Sequence, residues 1–276
     1  MNLRDDRVLP FTKIVAGSVI VVLLLAFIAL YLFPDHTDID FAWTILPRTS
    51  AILIGAGYTA GAYFFARLIM DNKWHRVQAG FLPITAFTIV MFLATILHWD
   101  RFHHGALNFY LWTIIYAITP FLVPFLWWQN QKTGITELEA NDVYFSSLIR
   151  TGLKIIGLVG VLVFIIVFLK PTLLIAAAPW KLTPLTARIF AGWSILTLAT
   201  VASIGFDGRW SATKTLMESA MVGIVLCLIA LPRMWGDFNP ANPMTYALVG
   251  GMVLALLAFI IIHVRMNRVS LKARTA

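Results

Sequence analysis

Eight stretches of this chain run for roughly twenty residues each, the length that crosses a bilayer core as a helix, and each is nearly free of charge. They fall at about 14–33, 45–68, 77–97, 107–128, 148–169, 184–204, 213–231 and 244–263. Inside hydrocarbon the backbone has no water to bond, so each segment must pair its own N–H and C=O groups, as a helix does. Barrel strands would be roughly half as long and would alternate polar with apolar residues. These runs do not alternate. Only 12% of the residues are charged, about half the share of a soluble domain. The expected fold is therefore all-α: a polytopic membrane protein with eight transmembrane helices and the lipid bilayer as its surroundings.

Charge sets the expected orientation. Six arginines and lysines (Arg48, Arg101, Lys170, Lys181, Arg188 and Arg233) fall on one side of the predicted spans, and the other 15 of the 21, from Arg4 to Arg274, fall on the opposite side with both termini. Basic residues concentrate in cytoplasmic loops, so both termini are expected in the cytoplasm of a cell-membrane protein. The basic residues flank apolar runs and form no continuous patch, so the net charge of +8 is assigned to the membrane and not to nucleic acid. The first run is longer than the roughly 7–15 residues of a signal-peptide core, and no small-residue cleavage pattern follows it. An uncleaved first helix is expected. The single cysteine, Cys227, excludes an intrachain disulfide and a cysteine-based metal site.

The chain also looks like one unit written twice. Trp43, Pro47 and Thr49 recur 137 residues later as Trp180, Pro184 and Thr186, and Gly55 recurs as Gly192. The spacing then slips to 136, where Asp71 and Trp74 fall on Asp207 and Trp210, Trp99 on Trp235 and Tyr110 on Tyr246. Four crossings return a chain to its starting side, so a duplicated four-helix unit gives a tandem parallel repeat about an axis along the membrane normal. The expected organisation is a first repeat at 1–130, a polar cytoplasmic linker at 131–147 and a second repeat with a basic tail at 148–276.

Candidate chemistry lies in three places. Ionisable residues within spans are costly in lipid and usually face a bundle interior. Glu218 lies about one turn inside helix 7, where it is expected either to pair with Lys214 or to carry a proton or bind a cation. Arg48 and Arg188 begin helices 2 and 6 and are expected to snorkel outward. Trp43 and Trp180 are expected to anchor at the outer interface. Those five residues form the candidate substrate or ion pathway. On the outer side, His36, His98, Asp100, His103 and His104 carry imidazole and carboxylate groups suited to a divalent ion such as zinc. That candidate site belongs to repeat one alone, and its spacing matches no tight zinc signature. Axial haem ligands would have to lie within the bundle; His98 and His263 sit near helix ends on opposite faces, which disfavours haem. Thr183 before Pro184 is an expected N-cap. Gly57, Gly61, Gly250 and Gly251 would permit close helix contact, and Pro83, Pro120 and Pro124 are expected to kink helices 3 and 4.

Nucleotide-binding, serine-hydrolase and zinc-protease motifs are absent from the sequence. The expectation for function is a small-molecule permease or transport-related protein, not an enzyme. The alternatives are a membrane enzyme or redox subunit using the outer His/Asp group, and a structural subunit without a site. The small-molecule substrate is not specified by any motif.

Overall fold

The computed structural model describes residues 6–133 and 142–275. Arg4 and residues 134–141 of the expected linker lie outside them. Among the described residues, eight helices are long and apolar enough to cross a membrane. We label them α1 (Pro10–Leu32), α2 (Arg48–Asp71), α3 (Gln78–Leu97), α4 (Leu107–Lys132), α5 (Ser147–Leu169), α6 (Pro184–Asp207), α7 (Trp210–Ile229) and α8 (Pro243–Ala273). No β-strand accompanies them among those residues beyond two isolated bridges.

The helix ends follow from local chemistry. Pro10 opens α1 and Pro184 opens α6, where a missing N–H is no loss. Thr183 caps α6 as expected, its Oγ1 accepting from the Thr186 N–H at 3.2 Å. Helix α6 stops at Gly208, whose positive φ of 76° closes the last turn. Helix α2 begins only after Pro47, three residues later than expected, because residues 41–47 form an irregular segment packed inward. Pro83 stands in the first turn of the Phe81–Leu97 α-helix, where a missing N–H is no loss to that helix. Pro120 and Pro124 do lie inside a helix.

Two helices outrun the apolar stretches that announce them. The chain stays helical through Thr133, and Asn130, beyond the expected end of the fourth span, is fully buried. Its Oδ1 accepts from the Leu9 N–H at 3.0 Å, and its amide donates to Thr12 Oγ1 and to Leu126 O, both at 2.7 Å. The end of α4 thus pins the start of α1. The last helix continues as far as Thr275 over 33 residues, about 50 Å at 1.5 Å per residue, and lifts Arg265, Arg268 and Lys272 clear of a core about 30 Å thick.

Packing pairs α1 with α2 and α5 with α6, α3 with α4 and α7 with α8, and crosses between the halves as α2 with α7 and α3 with α6. Helices α2, α3, α6 and α7 therefore form the centre. Helices α5 and α6 approach backbone to backbone: a Cβ added to Gly157 would lie 2.5 Å from the Ala202 nitrogen. Gly57 and Gly61 give close contact as expected, against Trp193 and Leu23. Gly250 and Gly251 do not; nothing lies within 4 Å of a Cβ added to either. None of the apolar stretch of α8 is buried, whereas α4 sends Trp112 and Tyr116 into an aromatic cluster.

The α2 and α6 exits share a local arrangement. After α2, the Trp74 N–H donates to Asp6 O at 2.7 Å; the His75 N–H donates to the Asp6 carboxylate, which also pairs with the His75 ring. After α6, the Trp210 N–H donates to Val143 O at 2.8 Å; the Ser211 N–H and hydroxyl both donate to the Asp142 carboxylate. An isolated bridge accompanies each, Arg7 with Lys73 and Tyr144 with Arg209. Both tryptophans are buried.

Candidate functional site

Polar residues recur at every fourth position along α2, as Thr59, Tyr63, Arg67 and Asp71. A helix turns about 100° per residue, so this ladder drifts slowly around one face, and that face meets α7. On α7, Glu218, Met221, Val222 and Val225 follow the i, i+3, i+4, i+7 spacing of a single stripe. Close approach of the two helices is fixed beside them by Ser219, whose hydroxyl donates to Ala60 O at 2.6 Å. Between the stripes lies a groove of about 470 Å³, with Thr59 and Tyr63 on one wall and the α7 stripe on the other. Its walls are apolar except at the Glu218 end.

Glu218 has one firm partner. The Tyr63 hydroxyl donates to Glu218 Oε2 at 2.8 Å. The Arg67 Nη1 stands 3.9 Å from that oxygen, outside hydrogen-bond range, because the guanidinium is committed to Asp71 at 2.9 Å. From α8, His263 Nε2 lies 3.8 Å from Glu218 Oε1, and its ring packs edge-on against Trp210 at 5.8 Å. The Trp210 indole N–H is held by Asn267 Oδ1 at 3.2 Å. The Glu218 carboxylate is 13% exposed. Lys214, its expected partner one turn earlier, makes no ion pair among the described residues; the partners come from α2 and α8 instead. At the 136-residue offset the first half of the chain has Leu82 in the matching place.

The other pathway candidates are dispersed. Trp43 is buried at 2% exposure among Phe41, Phe102 and Trp112, so it is a core residue and not an interfacial anchor. Trp180 is half-buried, donates to Ser50 Oγ at 2.9 Å and packs against Phe190 and Phe238. Arg48 does reach outward, to Asp35 at 3.4 Å, with both side chains about half exposed. Arg188 does not. It turns inward, its Nε donating to Phe168 O at 3.0 Å and its Nη1 meeting His98 Nε2 at 2.6 Å. A guanidinium has no lone pair to accept with, so His98 Nε2 must be the acceptor and the ring is neutral with its proton on Nδ1. Burial, and after it the Arg188 charge, holds the His98 pKa below its ordinary value.

The remaining outer histidines also have protein partners. His103 Nδ1 meets Phe41 O at 3.1 Å and its Nε2 meets Thr44 Oγ1 at 3.0 Å. His104 Nε2 donates to Trp99 O at 2.8 Å. Asp100 pairs with Arg101, and His36 stacks on Phe33. Among the described residues no three His, Cys, Asp or Glu side chains gather in a group that would hold a metal ion.

Sequence reasoning singled out Glu218 but missed Tyr63, Arg67, Asp71 and His263. The four-residue polar ladder on α2 was a readable signal for the first three. His263 had none, since only packing brings α8 to α7. Comparison with protein-family models, curated proteins and solved structures finds no match to this chain.

Proposed function

We propose that this chain is a small-molecule permease of the cell membrane, with both termini cytoplasmic and the α2–α7 groove as part of its pathway. The observation that carries the proposal is Glu218. It is an ionisable side chain within a span, at the end of an otherwise apolar groove, and neither of its potential cationic partners is within hydrogen-bond range. A carboxylate in that setting is expensive in lipid and is expected where a proton or solute is handled. A groove of this volume lies in the range of small-molecule sites. Its position at a junction between the halves suits a transporter built from repeats, in which sites lie at the repeat interface.

The tandem parallel repeat belongs to the same proposal. Its support is that the helix pairings map onto themselves when α1–α4 are exchanged for α5–α8, and that the Asp6 and Asp142 arrangements recur at the two exits. Superposing 10–128 on 148–264 tests it; helices that do not overlay in order would remove it. Transport is tested in proteoliposomes carrying an internal pH dye, challenged with a panel of anionic, neutral and cationic solutes. Solute-dependent proton movement that the Glu218→Gln variant lacks is expected. A variant equal to the parent would clear Glu218 of any part in transport.

A further inference from the structure

We infer that the α2–α7 groove takes an apolar organic monocation, of the quaternary ammonium or phosphonium kind, in exchange for one proton carried by Glu218 or His263. This deepens the permease proposal and rests on it for its physiological setting, but the binding event stands by itself.

The argument is one of charge. Glu218 and Asp71 bring two carboxylates to the cluster and Arg67 brings one guanidinium, which is spent on Asp71 at 2.9 Å. The other groups facing Glu218 are the neutral Tyr63 hydroxyl and the His263 ring. Lys214 on the same helix makes no ion pair with it. His75, in the turn after α2, is taken by Asp6. Arg265 and Arg268 of α8 are exposed and make no ion pair with Glu218. With His263 neutral, the cluster is therefore one positive charge short. An uncompensated charge away from water is costly enough that such groups neutralise. Two species can supply the missing charge: a proton on Glu218 or on His263, or a cation seated at the carboxylate. They are mutually exclusive, because either one balances the cluster and both together would leave it one charge in excess. The exchange conserves charge at the site, one monocation arriving as one proton leaves for solvent.

The groove fixes the rest of the ligand. From Glu218 to Leu226 its α7 wall rises eight residues, about 12 Å at 1.5 Å per residue, and beyond the carboxylate it offers only Met221, Val222, Val225 and Leu226. Those side chains provide no hydrogen-bonding partner for a polar or anionic tail, and the Thr59 hydroxyl on the facing wall already donates to Gly55 O. The wall is half-exposed along its length, with Val225 39% exposed, so the groove opens sideways and a membrane-dissolved molecule can enter it. A strongly hydrated inorganic cation would leave the apolar length empty. The gaps of 3.8 and 3.9 Å from Glu218 to His263 and Arg67 leave the carboxylate free to turn toward a ligand.

The test uses the full chain in nanodiscs with tetraphenylphosphonium as the probe. Saturable binding over empty nanodiscs is expected, with one proton released per cation in weakly buffered solution. On acidification through the exchange range, affinity should fall about tenfold per pH unit, the linkage of one proton to one ligand. Glu218→Gln should abolish both signals. Binding without proton release, no saturable binding, or unchanged release in Glu218→Gln would each overturn the inference. The parent measurements need no variant to fold. The same protein in proteoliposomes separates the two proposals. Translocation of another solute without tetraphenylphosphonium binding keeps the permease and removes the monocation. Proton-linked binding without any translocation does the reverse.

Discussion

Acidification should weaken the fold at one identifiable contact, between His98 at the end of α3 and Arg188 at the start of α6. At 2.6 Å from a guanidinium the His98 ring accepts a hydrogen bond through a lone pair that protonation would remove. Protonation would also place two cations at contact distance. In the unfolded chain His98 regains its ordinary pKa of 6.5, whereas burial and Arg188 hold it lower in the fold. Between those two values the unfolded state binds the extra proton, so stability is complete above pH 6.5 and is lost as the pH falls toward the folded value. The slope for one proton is at most about 1.4 kcal/mol per pH unit. By pH 5 this single site removes at most about 2 kcal/mol, a large fraction of a typical total of about 5–15 kcal/mol. The assay is thermal unfolding in detergent micelles from pH 8 to pH 5, for the parent and for His98→Gln. A glutamine carbonyl can accept the same bond without titrating. The other histidines are common to both proteins, so whatever they contribute cancels in the difference. The stability curves should run together above pH 7 and separate below 6.5, with the parent falling faster. Parallel curves throughout would refute the assignment of a neutral, Arg188-bound His98.

Three further outcomes follow from packing and hydrogen bonding. Gly157→Ala forces a Cβ against the α6 backbone and should cost about 1–3 kcal/mol, while Gly250→Ala, with nothing opposite it, should be neutral or gain about 0.5–1 kcal/mol of helix propensity; unfolding of the two variants side by side checks the contrast. Asn130→Ala strands the Leu9 N–H and should cost about 1–3 kcal/mol, with faster amide exchange at the start of α1 as its local signature. A double-mutant cycle of Tyr63→Phe and Glu218→Ala, which removes the acceptor, should return a coupling of about 1.5–3 kcal/mol for a hydrogen bond to a charged acceptor; additivity would mean that the bond carries no energy.

The eight helices were legible in the chain because a bilayer imposes a length and an apolar composition on every crossing, and both are one-dimensional properties. The N-cap at Thr183 and the stop at Gly208 were equally local. Extensions were harder, since Gln129–Thr133 and the last turns of α8 are polar and continue as helix by capping α1 or by projecting beyond the hydrocarbon. Side-chain partners were not legible at all. Trp43 and Trp180 occupy matching places in the sequence, yet one is walled in by Phe41, Phe102 and Trp112 and the other bonds Ser50 of α2.

The sequence by itself determined how many apolar crossings the chain makes and that Glu218 stands within one of them. It did so because hydropathy and helix-terminal chemistry are read over a few neighbouring residues. Only the tertiary structure decided that Glu218 meets Tyr63 and approaches Arg67 and His263 instead of Lys214, and that Arg188 turns inward to His98 instead of out to water. Those pairings join residues 45 to 155 positions apart. Their geometry comes from which helices pack together, and no local pattern of residues encodes that.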